Sequence, residues 1–104
     1  MAFPCNQFRD QEPGPESQIK AFAREKYGAQ FPLFSKIEVN GPNAHPVYQY
    51  LRRNSELYNE AEQVAGEIPW NFAKFLVNAE GKVVKYWGPQ SDPESTLDEV
   101  RKLL

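Results

Sequence analysis

The sequence predicts a layered α/β fold, with helices covering the faces of a sheet. Three observations predict it. Apolar residues at helical spacing alternate with short apolar runs of strand length. A turn signal joins two such runs into a hairpin. The order is therefore strand, helix, strand, helix, hairpin, helix, the pattern of an α/β layer structure. With 104 residues, 40% of them hydrophobic and 13% aromatic, the chain has the size and apolar content of one small domain. No internal repeat, low-complexity tract or linker interrupts residues 1–104.

Met1-Ala2-Phe3-Pro4-Cys5 is short and apolar and reads as the end of a buried strand. Asn6 to Gly14 is polar and reads as the loop that follows. A helix is expected to start near Pro15, because proline suits a first helical position. Ile19, Phe22, Ala23 and Tyr27 would form its buried stripe, and Gly28 its stop. Phe31 to Val39 is β-like, with Phe34, Ile37 and Val39 facing inward. Asn40-Gly41-Pro42-Asn43 is a turn. His45 to about Arg53 fits a second helix, with Val47, Tyr48 and Leu51 on its apolar face. Asn54 to Pro69 is a polar connection, in which Glu56 to Val64 could hold a helical turn or two. Trp70 to Val77 is the clearest strand; Asn78-Ala79-Glu80-Gly81 turns it, and Lys82 to Trp87 returns. Pro93 to Leu104 fits a last helix, with Leu97, Val100, Leu103 and Leu104 inward.

Composition excludes several classes. Twelve Lys and Arg stand against 14 Asp and Glu, a formal net charge of -2. That is not the basic signature of a nucleic-acid binder. No apolar run approaches the roughly 20 residues of a membrane span. One cysteine and one histidine exclude an internal disulfide framework and leave few ligands for a metal, so no metal site is expected. No signal peptide opens the chain, and a cytoplasmic location is the default expectation.

Few residues can carry chemistry. Cys5 is the sole thiol, but it lies in an apolar run without an adjacent cation to lower its pKa, so a structural thiol is the simpler reading. His45, between Ala44 and Pro46, has no evident catalytic partner and reads as a residue at a helix start. Glu56, Glu60, Glu62 and Glu67 read as a solvated face. Gln11, Trp70 and Asn71 are neutral donors beside strand ends. Amide and indole N–H groups can converge on an anion without adding charge. By type alone the simpler reading is a solvated loop residue for Gln11 and a core residue for a tryptophan that opens a strand.

Phe3-Pro4-Cys5-Asn6-Gln7-Phe8, followed by Gln11-Glu12-Pro13-Gly14, resembles the first signature of the glutathione peroxidases. Trp70-Asn71-Phe72-Ala73-Lys74-Phe75-Leu76-Val77 resembles their second, the tryptophan–asparagine strand. Phe34-Ser35-Lys36-Ile37, Val39-Asn40-Gly41, Ala44-His45-Pro46, Gly81-Lys82-Val83-Val84 and Tyr86 to Pro89 also look like the family, in its order, so the resemblance covers essentially the whole chain. It implies a thioredoxin-like fold and a single domain over residues 1–104. It implies reduction of hydrogen peroxide or of organic and lipid hydroperoxides by a cysteine or selenocysteine, which glutathione or another thiol reductant restores, in the response to oxidative stress. The family's supporting Gln, Trp and Asn carry over to Gln11, Trp70 and Asn71, where neutral donors would hold the chalcogen anion and the charge that develops on the O–O bond.

The resemblance also implies departures. The family's nucleophile lies upstream of the first signature, on an N-terminal strand–helix unit, whereas this chain begins inside that signature. Cys5 matches the signature's own cysteine, a non-catalytic position. The chain as written is thus expected to be inactive alone and marginally stable. A selenocysteine codon read as stop, with the chain restarting at Met1, would explain the break. An ordinary partial or truncated sequence and a genuine short protein are the rivals. Arg24 stands where thioredoxin-using relatives carry a resolving cysteine, which favours glutathione or another small thiol. The short stretch from Val47 to Pro69 resembles monomeric, phospholipid-hydroperoxide-type members, so a monomer is expected. Two other readings stay open: an inactive thioredoxin-like remnant that binds a partner protein, and Cys5 as a slow, unspecialised peroxidase.

Overall fold

Residues 1–104 are described by a computed structural model. They form two compact units, Met1–His45 and Pro46–Leu104.

In the first unit, Pro4 limits how the N-terminal segment pairs. Ala2 and Leu33 form a single parallel bridge. Ala2 donates to the Pro32 carbonyl at 2.9 Å, Phe34 to Ala2 at 2.9 Å and Ile37 to Pro4 at 3.0 Å. Pro4 has no N–H to give to the Phe34 carbonyl, so the ladder cannot continue past it. The strands expected over 1–5 and 31–39 are therefore extended segments joined by a few bonds.

Helix α1, Glu16–Tyr27, follows with Pro15 as its N-cap. Gly28 ends it at a φ of 66°, and its N–H bonds to Arg24 at 3.0 Å while that of Ala29 bonds to Ala23 at 3.1 Å. Glycine reaches this left-handed geometry without a Cβ clash. The expected stripe is not buried. Ile19 and Ala23 are half-covered, while Phe22 and Tyr27 are 55% and 71% exposed. The first turns of α1 face Leu33, Phe34 and Ser35 across a cavity of about 150 Å³, so even that contact is loose. Phe22 and Tyr27 pack on each other instead, ring centroids 5.6 Å apart, with the Lys26 ammonium 5.2 Å from the Phe22 centroid. Phe34, expected inward, stacks on Phe3 at 4.9 Å and remains exposed. Phe8, Val39 and Ala44 are the buried apolar residues here.

The second unit begins with helix α2, Pro46–Arg53, which buries Leu51. Val47, expected on the covered face, is exposed. A short antiparallel hairpin follows, β1 (Tyr58–Asn59) with β2 (Val64–Ala65), where a helical turn had been the sequence expectation. Glu62 donates its N–H to the Asn59 side chain at 3.1 Å, which closes the turn as an Asx motif. Strands β3 (Lys74–Val77) and β4 (Val83–Trp87) pair antiparallel, as the sequence indicates. Asn78 accepts from Glu80 and Lys82 with its side chain, at 3.0 and 2.9 Å, and Gly81 takes a φ of 84°. The register slips between Leu76 and Val77, where the partners change from Lys85 to Val83.

Tyr48 of α2 meets Phe75 edge-on at 6.1 Å, and Phe75 meets its cross-strand partner Tyr86 at 5.0 Å. Burial pushes the Tyr86 hydroxyl pKa up, with a further push from the Glu56 carboxylate. The C-terminal helix is shorter than expected. A 3-10 turn, Pro93–Thr96, leads into α3, Leu97–Arg101. Leu97, Leu103 and Leu104 are exposed and Val100 is half-covered, because so short a helix offers little face to bury. No helix is long and apolar enough to cross a membrane.

The buried core is small: Phe8, Val39, Ala44, Leu51 and Ile68. Each buried aliphatic or aromatic side chain contributes about 1.5–3 kcal/mol, which has to offset about 1–2 kcal/mol of backbone entropy per ordered residue. The isolated 104-residue chain is therefore expected to unfold below ~45 °C, the lower edge of ordinary domains. It should also bind an apolar dye while folded. A sharp calorimetric transition well above that temperature, without dye binding, would contradict this.

Candidate functional site

The loop from Asn6 to Gly14 carries Gln11, and its shape is set by two amide side chains. Gln7 Oε1 accepts the backbone N–H of Val39 at 2.7 Å and of Asn40 at 3.1 Å. Its Nε2 donates to the Asn40 carbonyl at 2.8 Å and to Glu38 Oε1 at 3.3 Å. One side chain thus satisfies the backbone of residues 39 and 40, which lie in no strand. Asn6 Oδ1 accepts the Glu12 N–H at 2.8 Å, while its Nδ2 donates to Asp10 Oδ1 at 3.3 Å. The chain between reverses through Arg9 and Asp10, at φ values of 57° and 52°. Non-glycine residues there are strained and persist only when neighbours hold them. Phe8 is buried and anchors the loop. Gln11 sits on its exposed side, directly before the bonded Glu12.

Cys5 is half-buried, and its Sγ donates to Gln7 Oε1 at 3.4 Å. It belongs to the clamp that holds the loop. His45 donates its backbone N–H to Glu38 at 2.9 Å and lies 6.5 Å from the Phe3 ring, just before α2. The structural readings of both residues fit these contacts.

The loop also has a basic strut. Lys36 Nζ donates to the Gly14 carbonyl at 2.5 Å, and its backbone N–H to Glu16 Oε1 at 3.2 Å. Glu16 is held below the usual carboxylate range, first by its own backbone N–H, then by that of Lys36, with the lysine charge adding to both.

Trp70 and Asn71 lie in the second unit, on a turn rather than in the strand expected over 70–77. Phe72 explains the difference. Its φ of 66° reverses the chain, so the strand starts only at Lys74, and the ring is left 82% exposed. Lys74 pins this turn by donating to the Phe72 carbonyl at 2.6 Å and to Ser91 at 2.8 Å. Trp70 is 39% exposed and Asn71 half-buried, so the indole is in reach of solvent while the turn that carries it is tied down. The pair shares one turn; Gln11 stands on its own loop in the first unit. Sequence reasoning had no part for Asn6, Gln7 or Lys74. The available signal was an amide pair directly after an apolar strand and a lysine at the strand start.

Each segment offers neutral N–H donors on a loop held by side-chain-to-backbone bonds. Such donors can stabilise an anion at low reorganisation cost.

Comparison with known proteins follows the same motifs. A profile of the family described as glutathione peroxidase matches residues 1–52, half of the chain. Over the whole chain, the hydroperoxy fatty acid reductase of Synechocystis sp. is 48% identical, with 62% of its own length covered. A glutathione peroxidase of Lactococcus lactis is 40% identical, with 63% covered. The chloroplastic phospholipid hydroperoxide glutathione peroxidase 1 of Arabidopsis thaliana is 44% identical, with 42% covered. The crystal structure of Trgpx in apo form superposes with a TM-score of 0.69 at 33% identity, over 97% of this chain and 54% of its own. That of T. cruzi GPX1 gives 0.65 at 31% identity, over 97% and 56%. The chain spans about three-fifths or less of the length of these relatives.

Two predictions test the loop. Gln7→Ala should destabilise the first unit by about 1–3 kcal/mol, the range for leaving backbone partners unpaired. It should also speed hydrogen exchange at Val39 and Asn40; unchanged protection there would refute the clamp. Glu16 favours its carboxylate in the folded chain, so its stabilising contact is present above the ordinary value of 4.5 and is lost as pH falls through the lowered folded value. The Lys36 amide resonance should therefore titrate with a midpoint below 4.5. In Glu16→Gln it should not titrate.

Proposed function

The chain belongs to the glutathione peroxidase family and has its thioredoxin-like fold, and on that premise we propose that the protein reduces hydroperoxides with a thiol. One observation carries the reading: identity of 40–48% runs through the whole chain to relatives named for hydroperoxide reduction. Both signatures lie inside that match. Hydrogen peroxide and organic or lipid hydroperoxides are the proposed substrates, and glutathione or another small thiol the reductant. Arg24, in the last turn of α1, is no thiol and cannot supply a resolving disulfide.

The proposed chemistry balances as follows. A thiolate or selenolate attacks one oxygen of the peroxide. The O–O bond breaks, the chalcogen keeps that oxygen as a sulfenic or selenenic acid, and the other oxygen takes a proton and leaves as water or alcohol. The chalcogen is oxidised by two electrons and the peroxide reduced by two. One reductant thiol then displaces water to form a mixed disulfide or selenosulfide, and a second thiol releases the restored nucleophile with a disulfide. Gln11, Trp70 and Asn71 are the proposed donors to the anionic chalcogen. Their neutrality suits the role, since they stabilise the anion without pairing with it as a salt bridge. Cys5 is not assigned the nucleophile's role, because its thiol already serves the Gln7 clamp. The nucleophile is proposed to come from outside these 104 residues, with the protein acting as a monomer.

The test is a coupled peroxidase assay on the whole protein with glutathione as reductant. Gln11→Ala, Trp70→Phe and Asn71→Ala should each lower kcat by about 10²–10³, as loss of one preorganised donor does. Cys5→Ser should leave the rate unchanged. An inert whole protein, or donor variants as fast as the parent, would overturn the reading, and thioredoxin far outperforming glutathione would overturn the choice of reductant.

A further inference from the structure

We propose that the cleft between the C-terminal end of α2 and the β1–β2 hairpin binds a small oxyanionic ligand, through a carboxylate or phosphate group held by Arg53. The inference is independent of the peroxidase reading.

The cleft has a volume of about 400 Å³. That is the size of a pocket for a compact ligand, near the lower end of the roughly 300–1,000 Å³ range. Arg52, Arg53, Gln49, Asn54, Tyr58 and Gln63 supply its polar lining, and no carboxylate lines it. The chain as a whole has more acidic than basic residues, 14 against 12, so this local balance is unusual for its surface. Glu56, close by in sequence, acts on Tyr86 instead of lining the cleft.

The two arginines have different tasks. Arg52 Nε donates to the Gly66 carbonyl at 2.8 Å, and an Nη to Ala65 at 3.0 Å. It ties the hairpin to α2 and so builds the wall of the cleft, while its charge stays in place. The Arg53 side chain donates to no group of the chain; its guanidinium carbon stands 5.8 Å from the centroid of the Tyr58 ring. A guanidinium against an aromatic ring is restrained in orientation, and its planar fork remains open to accept a bidentate oxyanion. The Tyr58 hydroxyl and the Gln63 amide, which lies at a φ of 56° between β1 and β2, line the same cleft and add neutral donors.

One force opposes the ligand. The C-terminus of α2 carries roughly half a negative charge from its dipole. Two whole positive charges on Arg52 and Arg53 outweigh it, and the site stays attractive to an anion. A cation or a neutral apolar ligand gains nothing from this lining.

The test uses the full 104-residue chain, labelled with ¹⁵N. Backbone and arginine Nε–H resonances are followed during titration with succinate and, separately, with inorganic phosphate, each against sodium chloride at matched ionic strength. Saturable shifts confined to Arg53, Tyr58 and Gln63 are expected with at least one of the two. Saturation by succinate alone identifies a carboxylate ligand, and by phosphate alone a phosphate ligand. Arg53→Gln should weaken that binding by about tenfold or more. Arg53→Lys should fall between, because it keeps the charge and loses the fork. Arg53 is exposed, so both variants should keep the β3–β4 resonances in place. Shifts that sodium chloride reproduces, that spread over the whole surface, or that persist in Arg53→Gln would overturn the proposal.

Discussion

The first unit depends on one side chain, the amide of Gln7. Residues 38–40 belong to no strand, and a backbone N–H left without a partner away from water costs about 1–3 kcal/mol. Gln7 answers with both ends of its amide: the oxygen takes the Val39 and Asn40 N–H groups, and the nitrogen gives to the Asn40 carbonyl. The same contact fixes Phe8 and, through Asn6, the reversal at Arg9 and Asp10. The loop that presents Gln11 is thus tied to how the backbone of residues 38–40 is satisfied.

The second unit is held in a related way, by long cationic side chains reaching backbone carbonyls. Lys74 gathers the Phe72 and Ser91 carbonyls, and Arg52 those of Ala65 and Gly66. The Tyr50 hydroxyl, a neutral donor, joins α2 to the β3–β4 turn at Gly81, at 2.6 Å. Lys36 does the same for Gly14 in the first unit. Apart from Ala65, in β2, these carbonyls lie outside the strands and find no ladder partner, and a flexible donor is the cheapest one. The tryptophan–asparagine turn and the wall of the Arg53 cleft are both built by such bonds. One chemical device therefore shapes a proposed catalytic segment and a proposed ligand cleft.

Legibility from sequence varied with how local the cause was. The β3–β4 hairpin followed from Asn78 and Gly81, whose turn chemistry acts over a few residues, and the end of α1 followed from Gly28. The strand at 70–77 was half right: Lys74–Val77 is strand, but Phe72 takes a left-handed φ that its residue type disfavours. The stripe of α1 was legible as a pattern and still failed as burial, because periodicity says which residues share a face and not what covers it. Gln11, Trp70 and Asn71 were nominated by resemblance to the family. Gln7, Asn6 and Lys74 were not nominated by residue type at all, since an amide or a lysine reads as surface until its partners are known.

The sequence by itself determined helices α1 and α2, the β3–β4 hairpin, the turns that glycine and asparagine close, and the family to which these residues belong. All of these are encoded in neighbours a few positions apart or in motifs kept in order. Only the tertiary structure decided which apolar residues are buried, where Pro4 stops the N-terminal pairing at a single bridge, and which polar side chains hold the loops. Those outcomes depend on groups brought together from 30 or so positions away, as Gln7 is to Val39. No local pattern in the chain records such a meeting, because burial and hydrogen-bond satisfaction are properties of the assembled neighbourhood and not of the residue.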